Sequence, residues 1–336
     1  ALAMGMAARG LKVVVVTIDP ARRLATSLGL EELGNEPRRV DPRRFADREI
    51  DGELWAMMLD SKRTFDDLID RLAPDADARD QILENRIYQE LSSAVAGSQE
   101  FTAIAKLYEL DRERDFDLLV LDTPPSRNAL DFLDAPARLT DFFEGRALRM
   151  FLRPTGLGMR VVGRGTGLAF GVLERVTGID LLRDLSVFFR ALGGLIDGFR
   201  ERAERVSALL ADPATTFLIV ASPEREPVQE AIFFHGKLAD AGMPFGGLVV
   251  NRVHMDALGG ANADGLGDEL AAELGPKLAR KVLASVDDHR LLALRDQRSI
   301  SRLRDELGAR VTILVPELDE DVHDVESLAL VERHLF

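Results

Sequence analysis

Apolar residues along this chain fall into two alternating textures. The first is a set of short unbroken runs: Lys12 to Ile18 with Val13-Val-Val-Val16 at its heart, Leu54 to Leu59, Leu118 to Leu121, Thr216 to Ala221, Gly247 to Val250 and Val311 to Val315. Runs of this kind, with no polar alternation, predict strands buried on both faces of a parallel sheet. The second texture is helical. Phe65, Leu68, Ile69 and Leu72 keep i, i+3, i+4, i+7 spacing, and Ile82 to Leu91, Phe101 to Leu110 and Val228 to Ala241 behave likewise. Ser98, after Gly97, is placed to cap one of these helices. Residues 1–9 read as the tail of a helix stopped by Gly10. Leu181, Leu185, Phe188, Leu192, Leu195, Ile196 and Phe199 trace a wide apolar stripe on a helix running to about residue 210. Strands alternating with helices predict an α/β fold, a doubly wound, mostly parallel sheet. The long helical stretches within it predict an inserted helical subdomain. The expected division is a core of residues 1–61, 115–126 and 211–336, with residues 62–114 and 127–210 as the insert.

Composition narrows the class without changing this picture. The 336 residues are 46% hydrophobic and 30% charged, ordinary values for a globular protein. A net charge of −14 argues against nucleic acid as a partner, because that attraction needs a basic face. With no cysteine, disulfides and thiolate metal sites are excluded. This fits a cytoplasmic protein, and no apolar run is long enough to span a membrane.

The candidate chemistry lies where the runs stop. Asp19, Asp60 and Asp122 each follow an apolar run directly. Ligands of open α/β sheets bind outside the carboxyl ends of the strands. An apolar strand ending in Asp is the arrangement by which phosphate-loop NTPases hold Mg²⁺; the same Asp serves equally as a turn cap. Gly163-Arg-Gly-Thr-Gly167 mimics a phosphate loop, but neither a long strand nor a Lys-Ser/Thr pair accompanies it, so it reads as a glycine-rich loop.

Taken in order, these strand-end segments resemble the ArsA-type ATPases, which include the tail-anchored-protein targeting ATPases among the deviant phosphate-loop NTPases. Thr17-Ile-Asp-Pro-Ala-Arg-Arg-Leu-Ala25 resembles the family's first switch, D-P-A-x-x-L, which implies that Asp19 orients the attacking water. Asp122-Thr-Pro-Pro-Ser-Arg-Asn128 resembles the second switch, D-T-A-P-T-G-H, which implies that Asp122 is the carboxylate on the Mg²⁺ side. Val249-Val-Asn-Arg252 resembles the segment whose Asn meets the adenine, implying a base-binding role for Asn251 and Arg252; Pro316, Glu317 and Leu318 fall where the family closes over the base. The resemblance implies ATP and Mg²⁺ as cofactors and ATP hydrolysis as the activity. It further implies a dimer, with itself or a paralogue, and a hydrophobic or membrane-protein client met by the helical insert. A cytoplasmic protein working at the membrane periphery is the corresponding expectation.

Three departures stand beside it. No Gly-Lys-Ser/Thr occurs, Gly236-Lys237-Leu238 falling inside a predicted helix, so the sequence is expected to start just downstream of a phosphate loop. Ser126-Arg127-Asn128 replaces T-G-H. The paired C-x-x-C zinc clamp of some family dimers has no counterpart. The altered second switch keeps an alternative open, a non-catalytic nucleotide-responsive module built on the apolar insert. A partition-type ATPase fits less well, since those lack so long a helical insert.

Overall fold

The structure, a computed structural model, describes residues 1–18, 23–28, 30, 33–41, 50–86, 88–89, 98–113, 115–123, 195–256, 258 and 265–336. Among them, strands β1 (Lys12–Thr17), β2 (Arg38–Arg39), β3 (Glu53–Met58) and β4 (Leu118–Asp122) form one sheet in the order β2-β3-β1-β4. Strand β1 runs parallel to both neighbours, and β2 joins β3 antiparallel. Strands β5 (Phe217–Ala221), β6 (Phe245–Val253) and β7 (Thr312–Pro316) form a second sheet, all parallel, in the order β5-β6-β7.

The valine run of β1 explains the layering of the first sheet. Successive side chains alternate faces, and all four valines are buried. Val13 and Val15 pack on one face with Met4 and Ala7 of α1 (Leu2–Ala8) and with Leu328 of α10 (Val325–Leu335). Val14 and Val16 pack on the other with Ala103 and Leu107 of α5 (Ser98–Glu113) and Val206 of α6 (Ile196–Leu210). A strand apolar on both faces thus demands a helix on each side, as predicted. Each buried valine contributes about 1.5–3 kcal/mol relative to exposure. Beyond the Arg9 cap of α1 the chain turns at Gly10, whose φ of +91° favours a residue without a Cβ. Gly5 lets the Phe336 ring approach so closely that a Cβ there would lie 2.2 Å from it.

The second sheet is covered on one face by α7 (Arg225–Asp240) and by α9 (Pro276–Leu307), a 32-residue helix preceded by α8 (Leu266–Leu274). Ile219, Leu248 and Val250 meet Val228 and Leu238 of α7 and Ile300, Leu303 and Leu307 of α9. Phe217 packs against the cores of both sheets. On the opposite face of β5, Leu218 and Val220 are exposed, at 41% and 65%.

Smaller helices start where the sequence supplies caps. Asp60 accepts the Arg63 N–H at the start of α3 (Ser61–Leu72), and Asp75 does the same for Ala78 at α4 (Ala76–Leu83). Among the described residues, no helix is long and apolar enough to cross a membrane. Of the expected helical insert, residues 127–194 lie outside the described residues, and the glycine-rich stretch with Gly163 and Gly167 lies there too.

Candidate functional site

Two groups of side chains collect at the carboxyl ends of the strands, one on each sheet. On the first sheet, Thr17 sits between Met58 of β3 and Asp122 of β4 in register. The Thr17 hydroxyl donates to Asp122 Oδ2 at 3.1 Å. Asp122 is exposed while Thr17 is buried, so a carboxylate stands at the rim on a rigid support. Ile18 continues β1 into the core, at 5% exposure. Asp19 follows it and lies outside the described residues, as do Ser126, Arg127 and Asn128. The third strand-end acid, Asp60, proves to be a helix cap: its side chain serves Arg63, and its N–H donates to Asn35 Oδ1 at 3.2 Å.

On the second sheet the edge is shaped by an irregularity. The β6–β7 register breaks between Val250 and Val253, which leaves Asn251 and Arg252 outside the regular ladder before Val253 pairs with Pro316. Such bulges re-aim side chains at sheet rims. Arg252 is the one non-glycine residue with positive φ among the described residues, at +59°. Its N–H donates to Asn251 Oδ1 at 2.9 Å, and its guanidinium to Glu317 Oε1 at 3.0 Å. The Glu317 N–H closes the edge on the Val253 carbonyl at 3.0 Å. Asn251, Arg252, Pro316 and Glu317 are therefore brought together, and the half-buried Leu318 follows them.

Three members of this edge are not marked by any strand-end motif. His254 places Nδ1 2.7 Å from Asp296 Oδ2 and Nε2 3.0 Å from Glu317 Oε2. The His254 backbone N–H also donates to Asp296 Oδ2, at 3.0 Å. Arg295 Nε and Nη2 donate to Asp296 Oδ1 at 3.0 and 2.8 Å. Asp296 is fully buried. Burial pushes its carboxyl up, yet the hydrogen bonds from His254 and Arg295 outweigh this and hold it below its ordinary value. The sequence did carry one signal for it. Asp296 interrupts the core stripe of α9, between Ala293 and Ile300, Leu303 and Leu307, and a carboxylate in such a stripe requires a partner.

The donor chemistry at the first edge fits Mg²⁺. That ion is ordinarily held by one or two carboxylates together with substrate phosphates and water, rather than by an all-protein cage. Asp122 offers a hard oxygen donor at the rim. Among the described residues no cluster of three or more His, Cys, Asp or Glu forms a closed metal cage.

The family model described as anion-transporting ATPase matches residues 1–176. A Halobacterium salinarum protein named arsenical pump-driving ATPase is 29% identical over 161 residues, which is 46% of this chain and 24% of that protein. The ATPase get3 of Aspergillus terreus is 28% identical over 141 residues, 41% of this chain and 38% of that protein. The match thus spans well under half the length of either curated relative. With Asp122 and the whole first sheet inside a matched region of just over half its residues, this chain belongs to the anion-transporting (ArsA-type) ATPase family.

Proposed function

We propose that this protein binds ATP with Mg²⁺ and hydrolyses it, coupling the nucleotide cycle to the handling of a hydrophobic or membrane-protein client. The observation that carries the reading is the pairing of β1 and β4. Their register puts Thr17 beside Asp122, so the strand that leads into Asp19 and the strand that ends in Asp122 finish side by side. Family membership supports the same reading.

In this proposal Asp122 faces the metal ion, which supplies charge neutralisation to the β- and γ-phosphates. Thr17 holds that carboxylate in place from a buried position. Asp19 orients the attacking water. Phosphoryl transfer asks mainly for positioning and electrostatic stabilisation, to which Asp122 at the end of β4 and Asp19, two residues beyond β1 in sequence, are assigned in this reading. Asn251 and Arg252 meet the adenine, and Pro316, Glu317 and Leu318 close over it. Residues 62–114 and 127–210 form the helical region that meets the client. The protein works as a dimer, with itself or a paralogue, in the cytoplasm and at the membrane periphery.

Steady-state hydrolysis by the full product of the gene, with and without Mg²⁺, tests this. Mg²⁺-dependent turnover supports it. ATP binding without turnover would favour the second reading, a nucleotide-responsive module, to which Ser126-Arg127-Asn128 in place of T-G-H lends weight.

A further inference from the structure

The charged chain Arg252–Glu317–His254–Asp296–Arg295 links three elements. Strand β6 and its exit give Arg252 and His254, the exit of β7 gives Glu317, and α9 gives Asp296 and Arg295. His254 is its middle member, with one ring nitrogen on each carboxylate. A neutral imidazole has one N–H and one lone pair. It donates to one carboxylate only, and turns a lone pair towards an oxygen of the other. The imidazolium donates to both, with the added strength of charge-assisted bonds.

The load on Glu317 gives this ring its importance. Glu317 Oε1 holds the Arg252 guanidinium, Oε2 faces the ring, and its N–H holds the Val253 carbonyl. Arg252 keeps a left-handed backbone that costs a non-glycine residue on the order of 1–3 kcal/mol. Its guanidinium contact with Glu317 and its N–H contact with Asn251 are what hold it there. A Glu317 released from His254 swings on a half-exposed side chain, and the bulge loses its brace. The anchor at the far end is secure, because Asp296 is buried and bonded on both oxygens.

We propose, resting on the reading of this edge as the purine-base site, that His254 is its positioning residue: the doubly protonated ring ties Glu317 to Asp296 and thereby fixes the Asn251–Arg252 bulge against which the base is read. Among the described residues, the charged and titratable groups near the ring come from three segments. From α9 they are Asp296 with its partner Arg295, and His289, whose ring centroid lies 5.6 Å away. From the β7 exit it is Glu317. Its own segment carries Arg252, bound to Glu317, and Asp256, which lies 3.8 Å from Arg290.

Nitrogen-15 NMR of the histidine rings, assigned with the His254→Gln variant, tests this on the full gene product. Over a pH series, the protection factor of the Glu317 amide should be about tenfold higher where the ring shows two N–H groups than where it shows one, the equivalent of one charge-assisted hydrogen bond. In His254→Gln that step should vanish, and Glu317→Gln, altered on an exposed side chain, should loosen the amide at every pH. A flat protection factor through the titration of His254 overturns the proposal, and the Glu317→Gln arm decides it should His254→Gln fail to fold. A separate arm addresses the base site itself, since MgATP should shift the Asn251 and Arg252 amides where MgGTP does so less. No shift with MgATP would sink the base-site reading while leaving the ring measurement standing. With the shift seen, His254→Gln should raise KM for ATP about tenfold with kcat within about twofold; unchanged KM and unchanged ATP-over-GTP preference would reduce His254 to a structural pin.

Discussion

The two sheets differ in how they treat the charge at their carboxyl ends. On the first, the rim acid Asp122 accepts a hydrogen bond from a neutral hydroxyl, that of Thr17, and also feels the Ala1 amine. On the second, the rim acids Glu317 and Asp296 meet cations and an imidazole, with Arg252 and His254 on Glu317 and Arg295 and His254 on Asp296. The contrast suits the roles proposed for them. A metal ion and a triphosphate need formal charge to work against. A purine base is neutral, and a rim whose acids are each paired can present it with directed hydrogen bonds at little electrostatic cost. The sheets also differ in cover. Strand β1 is sealed by helices on both faces, whereas β5 shows Leu218 and Val220 on one of its own.

The sharpest way to break this comparison is at Asp19. Asp19→Asn is expected to leave ATP affinity within a few-fold and to lower turnover by roughly 10²–10⁴, the range for losing a positioned acid–base group. Steady-state kinetics on the full gene product measures it. Equal turnover in variant and parent would return Asp19 to a turn cap and take the catalytic role from the first rim.

Next in size is Asp296→Ala. Breaking a buried ion pair costs about 3–5 kcal/mol, and the half-exposed Arg295 places this case near 3. At about 2–4 °C per kcal/mol the melting temperature should fall by roughly 6–12 °C. A loss under 2 °C, read by calorimetry, would mean that the second rim is not braced through α9.

A matched pair then probes the difference in cover. Met57→Ala, in the fully buried core of β3, should cost about 2–5 kcal/mol. Val220→Thr, at 65% exposure on β5, should stay within about 0.5 kcal/mol. Denaturant midpoints compare them, and similar losses would show that the exposed face of β5 is covered in solution.

The smallest effect concerns pH. The Asp296 carboxyl is held below its ordinary value of 3.8, so the unfolded chain takes up the proton first as pH falls. Its contribution to stability is complete above that value and is lost as pH drops through the folded one. Melting curves taken downward from pH 5 should carry this slope, and Asp296→Asn should lack it.

The strands and most helices were legible in the chain because buried parallel strands cannot alternate in polarity. Val13 to Val16 had no other home than a two-faced strand. Strand β2 escaped notice for the converse reason: Arg38 and Arg39 are exposed, and only the register with Trp55 and Ala56 makes them a strand. Asp122 and Asn251 were singled out because each directly follows an apolar run, a local signal. That same signal also picked out Asp60, which a neighbouring helix start converts into a cap.

The α/β alternation, the candidate acids at strand ends and the family could be read from the chain directly, since these rest on periodicity and on motifs spanning a few residues. Tertiary structure alone decided the partition of the strands between two sheets, the bulge that lifts Asn251 and Arg252 from the ladder, and the meeting of His254 with Asp296 and Glu317. His254 lies 42 residues from Asp296 along the chain. Such a contact leaves no periodic trace; it forms because β6, β7 and α9 are packed side by side around one core, and burial then obliges Asp296 to find its partners there.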